Sequence, residues 1–117
     1  MTYTISTVEA GVVRLVIEGE LDAVSSPGLR NEVDKLVATQ PTRVEVDLNS
    51  LRMVDSSGVG TLVSLYKRVR AQGGAVMLMG LRDQPLAIFR LLRLDRVMVG
   101  ADLPGPNSPL QRSSSDR

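Results

Sequence analysis

The sequence predicts an α/β domain: a mixed β-sheet opened by an antiparallel hairpin, continued by parallel strands and packed with α-helices, in the order β-β-α-β-α-β-α-β. Three observations predict it. Two runs of strand character flank a short Gly-containing turn, which reads as a hairpin. Apolar residues at helical spacing then alternate with strand-like runs, and strand–helix–strand crossovers join parallel neighbours. Finally, residues 75–79 are apolar throughout, as expected of a central strand covered on both faces.

In the first strand, Tyr3, Ile5 and Val8 are set among Thr2, Thr4 and Ser6. Glu9-Ala10-Gly11 makes the turn, and Val12 to Ile17 supplies a second, β-branched run. Ser25-Ser26-Pro27 marks a helix start, with serine as N-cap and proline at the first helical position. Leu29, Val33, Leu36 and Val37 recur on one helical face until Pro41 marks the exit. Arg43 to Leu48 alternates strictly, so one face of that strand is buried and the other polar. A loop through Asn49, Ser50 and Arg52 leads to Met53-Val54 and then to Asp55-Ser56-Ser57-Gly58. Val59, Leu62, Val63, Tyr66 and Val69 hold helical spacing up to Gly73-Gly74, which ends the helix. Ala75 to Met79 is the next strand, Asp83 and Pro85 open a third helix carrying Leu86, Phe89 and Arg90, and Val97-Met98-Val99 reads as a short last strand.

The chain changes character after residue 101. Three prolines fall between Pro104 and Pro109, followed by Ser113-Ser114-Ser115. Proline lacks an amide donor, and so little apolar surface does not offset the entropy of ordering. The expectation is one domain over residues 1–101 and a disordered Pro/Ser-rich tail over 102–117.

Composition removes whole classes of chemistry. With no cysteine and no histidine there are no disulfides, no Ser-His or Cys-His nucleophile pairs and no imidazole zinc site. The three aromatic residues, Tyr3, Tyr66 and Phe89, are too few to make a stacking platform for single-stranded nucleic acid. Net charge is +1, but residues 1–60 carry nine acidic and five basic side chains, whereas residues 61–117 carry four acidic and nine basic. A basic half of this kind steers an acidic protein partner or is simply a solvated face, and no run of like charge marks a DNA-binding stripe. The first residues lack the basic start and apolar run of a signal peptide, and no stretch approaches the ~20 apolar residues of a membrane helix. The expected setting is the cytoplasm, without membrane or direct nucleic-acid contact.

Phosphate loops and dinucleotide fingerprints are absent, since Gly58-Val59-Gly60 lacks a third glycine. Asp47 and Asp55 lie near strand ends, where carboxylates are ordinarily solvated; without clustered partners they make a poor metal or acid–base site. No metal site is therefore expected, and catalysis lacks its commonest tools. Asp55-Ser56-Ser57-Gly58 is more informative, lying between a β run and a helix. Asp55 or Ser56 caps that helix on the simplest account. Capping leaves Gly58 and Gly60 unexplained, since each costs on the order of 0.5–1 kcal/mol against alanine inside a helix. Such glycines are tolerated where a packed element or a binding partner approaches the backbone. A serine hydroxyl here has no internal base, so it is a poor nucleophile but a good acceptor for phosphate delivered by another protein. Phosphate at a helix N-terminus meets free amides and the positive end of the dipole, so the fold survives it. A partner docked over the same spot does not.

These residues also carry a family resemblance. Val54-Asp55-Ser56-Ser57-Gly58-Val59-Gly60 resembles the phosphorylation signature of STAS domains in bacterial anti-sigma factor antagonists. Gly19-Glu20-Leu21-Asp22, Asp47-Leu48 with Leu51, the Gly73-Gly74 pair and Leu86 to Leu94 fall at the family's separations, so the resemblance covers about residues 3–100. It implies a STAS-like mixed sheet and a partner-switching role. The unmodified antagonist binds an anti-sigma factor serine kinase and frees a sigma factor. Phosphorylation of Ser56 discharges it, and a metal-dependent serine phosphatase restores it. ATP and metal belong to those partners, so the resemblance implies no cofactor and no enzymatic activity for this chain. Ser57 is the second-choice acceptor, and Asp22, Asp55, Ser56, Ser57, Gly58 and Gly60 are the expected partner-binding residues, with Asp22 equally readable as a turn or cap residue. The competing reading is a scaffold or transporter-associated STAS module with constitutive binding and no switch. The family's usual last amphipathic helix gives way here to prolines and serines, and a monomer or weak dimer is expected.

Overall fold

The computed structural model describes residues 1–98. Thr2–Glu9 (β1) and Val12–Leu21 (β2) form the antiparallel hairpin, from Thr2 opposite Glu18 to Thr7 opposite Val13. Its turn needs Gly11, whose φ of +79° is closed to most side chains. Ser26–Ala38 (α1) crosses over to Arg43–Asp47 (β3), which lies parallel to β2. Leu51–Val54 (β4) follows, then Ser56–Ala71 (α2) and Ala75–Met79 (β5), the last parallel to β3. Asp83–Leu91 (α3) and the short Asp95–Met98 (α4) complete the described chain. The sheet order is β1-β2-β3-β5, with β4 branching from β2. A mixed sheet with an N-terminal hairpin and parallel continuation is the expected architecture.

One face of this sheet makes the core. Leu15 and Ile17 of β2, Val44 and Val46 of β3, and Val76 and Leu78 of β5 are buried with Leu29 and Val33 of α1, Leu62, Leu65 and Val69 of α2, and Phe89 of α3. Each fully buried aliphatic side chain contributes about 1.5–3 kcal/mol relative to exposure. The opposite face carries Arg14, Arg43 and Glu45, where Glu45 accepts from Arg14 at 2.8 Å and pairs with Arg43 at 3.0 Å.

Three expectations are corrected. Strand β5 is not covered on both faces: it ends the sheet order, Ala75 is exposed, and Met77 and Met79 are half-buried on the face opposite Val76 and Leu78. The loop expected through Arg52 is shorter: Leu51 and Arg52 already belong to strand β4 with Met53 and Val54, paired with the far end of β2 from Gly19–Leu51 to Leu21–Val54. Val97 and Met98 are not strand either. They close a four-residue helix in which the Met98 amide donates to the Leu94 carbonyl at 2.9 Å and the Met98 side chain enters the core. Val99 and the expected tail, 102–117, lie outside the described residues.

Candidate functional site

The ends of β2 and β4 lie side by side, so the segments that leave them are neighbours. Leu21 pairs with Val54, and the Asp55 amide donates to the Leu21 carbonyl at 3.1 Å. Asp55 takes extended backbone angles ahead of α2 and is its N-cap, accepting the Gly58 amide on Oδ1 at 3.0 Å. Its other oxygen, Oδ2, accepts the Ala23 amide at 3.2 Å. One carboxylate thus ties the segment after β2 to the first turn of α2.

That segment is ordered by its own aspartate. Oδ1 of Asp22 accepts from the amides of Val24 and Ser25 and from the Ser25 hydroxyl, all at 3.1 Å. These bonds, the Ser25 amide first and its hydroxyl next, hold the Asp22 carboxyl below the ordinary aspartate value. Asp22 is therefore a turn residue, with its charge committed inward to local amides. Ser25 occupies the N-cap position of α1, but its hydroxyl makes no cap bond; it accepts the Asp22 amide at 3.0 Å instead. The neighbouring Ser26 hydroxyl is buried without a partner.

On this frame Ser56, the first residue of α2, is exposed. Ser57 is half-buried, and its carbonyl accepts the hydroxyl of the buried Thr61 at 3.1 Å, which in turn accepts from Arg30 of α1 at 3.3 Å. Ser56 is thus the more accessible serine of the two.

The two glycines separate. A Cβ on Gly58 would lie 2.5 Å from Val54 Cγ2, 2.7 Å from Leu21 Cγ and 2.8 Å from the Leu21 carbonyl oxygen, so the missing side chain lets α2 sit on the two strand ends. Gly58 is buried, and its role is internal. Gly60 is exposed with nothing within 4 Å of where its Cβ would stand. Packing within the chain accounts for the first glycine and not for the second.

Sequence reasoning missed Val24. It is 91% exposed in the segment tied to Asp55, the most exposed large apolar side chain among the described residues. The available signal was a branched aliphatic residue between Asp22-Ala23 and Ser25-Ser26, ahead of the helix. Ser56, Gly60 and Val24 give this end of the molecule a hydroxyl, a bare stretch of helix backbone and an apolar contact point. Among the described residues no cluster of His, Cys, Asp or Glu could hold a metal ion, and no helix is long and apolar enough to cross a membrane.

Comparison with known proteins bears on the family and the fold. A family model for the STAS domain matches residues 3–112. The anti-sigma-B factor antagonist of Bacillus subtilis is 30% identical over 86 residues, spanning 74% of this chain and 78% of that protein. A solved anti-sigma factor antagonist from Mycobacterium paratuberculosis has a TM-score of 0.76 at 22% identity, over 90% of this chain and 86% of that one. The Bacillus cell fate determinant SpoIIAA, solved in its phosphorylated form, has a TM-score of 0.70 at 21% identity, covering 84% and 89% of the two chains. At such identities the two solved structures bear on the fold alone.

Proposed function

The chain belongs to the STAS domain family, and from that premise we propose that it is an anti-sigma factor antagonist switched by phosphorylation of Ser56. Unmodified, it binds an anti-sigma factor serine kinase and so frees a sigma factor. The kinase transfers phosphate from ATP to the Ser56 hydroxyl, the complex separates, and a metal-dependent serine phosphatase returns the chain to its binding form. The setting is the cytoplasm, and the chain itself needs no cofactor and catalyses nothing.

The exposed position of Ser56 on the first turn of α2 carries this reading. A hydroxyl there is open to another protein's catalytic groups, and the domain offers it no histidine as a base of its own. Phosphate adds roughly −1.5 to −2 charges at pH 7, beside free amides and the positive end of the helix dipole, so the scaffold tolerates it. A docked partner meets the new charge next to Asp55. Val24 and Gly60 supply the contact that the charge breaks, an apolar anchor on one segment and close backbone approach on the other.

The test begins with phosphosite mapping by mass spectrometry after incubation with the partner kinase and Mg-ATP. Phosphate is expected on Ser56, and Ser56→Ala is expected to bind the kinase while accepting none. Phosphate confined to Ser113, Ser114 or Ser115 contradicts the reading.

A further inference from the structure

We propose that Gln84 is a positioning residue for the acceptor serine, its side-chain amide fixing the Val54 peptide from which the Asp55–Ser56 turn hangs; this rests on Ser56 being the acceptor. Strand β4 has four residues and pairs with β2 along one side only. On the other side the N–H and C=O of Val54 need partners, because Val54 is fully buried. Gln84, on the first turn of α3, supplies both. Its Oε1 accepts the Val54 amide at 2.9 Å, and its Nε2 donates to the Val54 carbonyl at 3.0 Å. A primary amide is a peptide group in miniature, and here it completes the β4 edge as one residue of a neighbouring strand would.

The bonds to Val54 account for this placement. Gln84 is an exposed residue, so burial does not pin it. Both heads of its side chain go to Val54, so neither serves the start of its own helix. A long polar side chain gives up rotamer freedom when held at both heads, and the two bonds to Val54 are what hold it. One residue further on, the Asp55 amide is held from the β2 side by the Leu21 carbonyl, and the Asp55 carboxylate carries the Gly58 and Ala23 amides. The peptides leading into Ser56 are thus gripped from two sides, β2 on one and α3 on the other. With Gln84 removed, only the β2 side remains, and the turn that aims the hydroxyl gains freedom while the sheet core keeps its packing.

The experiment uses amide protection factors measured by NMR on the full chain, with no kinase present. In Gln84→Ala, protection at Val54 and Gly58 is expected to fall about tenfold, matching the loss of two ordinary hydrogen bonds, while Val44, Val46 and Met77, whose amides lie in the β3–β5 ladder, keep theirs. Unchanged values at Val54 and Gly58, or an equal fall at all five amides, overturn the proposal. Gln84→Glu distinguishes the two halves of the amide. Ionised, it sets a carboxylate oxygen against the Val54 carbonyl oxygen with no proton between them, and this repulsion opens the pair, so protection is lowered at neutral pH and recovers when acid protonates the carboxyl. Full protection of Gln84→Glu at neutral pH overturns the proposal, as does recovery of Gln84→Ala on acidification. With the partner kinase and Mg-ATP, Gln84→Ala is expected to lower kcat for transfer to Ser56 at little-changed KM; a rise in KM alone overturns a positioning role. No transfer to Ser56 in the unsubstituted chain contradicts the acceptor assignment itself, and the exchange data, obtained without kinase, tell that failure apart from a failure of Gln84.

Discussion

At Gly58 and Gly60, two residues apart on one helix, the same residue type answers two different demands. A Cβ on Gly58 meets backbone and two branched side chains inside 3 Å, so Gly58→Ala overpacks the junction of α2 with β2 and β4 and is expected to cost about 1–3 kcal/mol. At Gly60 there is open space, so Gly60→Ala is expected to stabilise by about 0.5–1 kcal/mol through helix propensity, while weakening the kinase complex if the partner uses the bare backbone. Urea denaturation of both variants checks the opposed signs. The motif was legible in the sequence as a pair of unexplained glycines, and the division of labour was not. It depends on Leu21 and Val54 converging beneath the helix, a contact between residues 33 apart. Val24 and Gln84 escaped for the same reason. An aliphatic residue in a turn and a glutamine opening a helix have meaning only once the segments they face are in place.

Strand β2 is the element on which the site depends. Its first part pairs with β3 and its last three residues with β4; the register shifts between Gly19 and Glu20, and Gly19 has a φ of +91°. Strand propensity over Val12 to Ile17 predicts the first part of the strand but neither its continuation to Leu21 nor the change of partner, which is why Arg52 read as loop. A four-residue helix such as α4 likewise leaves no periodicity to read, so the β-branched Val97 pointed to strand. The segment between β2 and α1 makes its own prediction. Val24 is almost wholly exposed, so Val24→Ser is expected to move stability by no more than ~0.5 kcal/mol. The same change is expected to weaken kinase binding about tenfold, because the apolar surface that the complex would bury is lost. Thermal melting and calorimetric titration together check it, and unchanged affinity removes Val24 from the docking surface.

Over the whole molecule, the division between a packed face and a polar one was legible in advance for β3 and misleading for β5. Strict alternation in Arg43 to Asp47 told the faces apart, whereas Met77 and Met79 are apolar enough to imply burial and flexible enough to do without it. The ion pairs on the open face bear on acid stability. The Arg14 hydrogen bond, and then the charges of Arg43 and Arg14, hold the Glu45 carboxyl below its ordinary value, as the Ser25 bonds hold that of Asp22. Both groups bind protons more weakly folded than unfolded. Their contribution is therefore complete above the unfolded carboxylate range and is lost as pH falls through the folded values. Urea midpoints are expected to fall between about pH 6 and pH 3, with a shallower fall in Glu45→Gln, which starts from a lower midpoint at neutral pH. An identical acid dependence in that variant assigns the effect to other carboxyls.

A partner switch on an intact scaffold separates affinity from stability, and calorimetric titration of the partner kinase with the unmodified and the Ser56-phosphorylated full chain measures that separation directly. The expected result is a loss of about a hundredfold in affinity on phosphorylation, ~2.8 kcal/mol, with the melting temperature of the isolated chain held or raised. Equal affinity of the two forms, or loss of binding accompanied by unfolding, contradicts it.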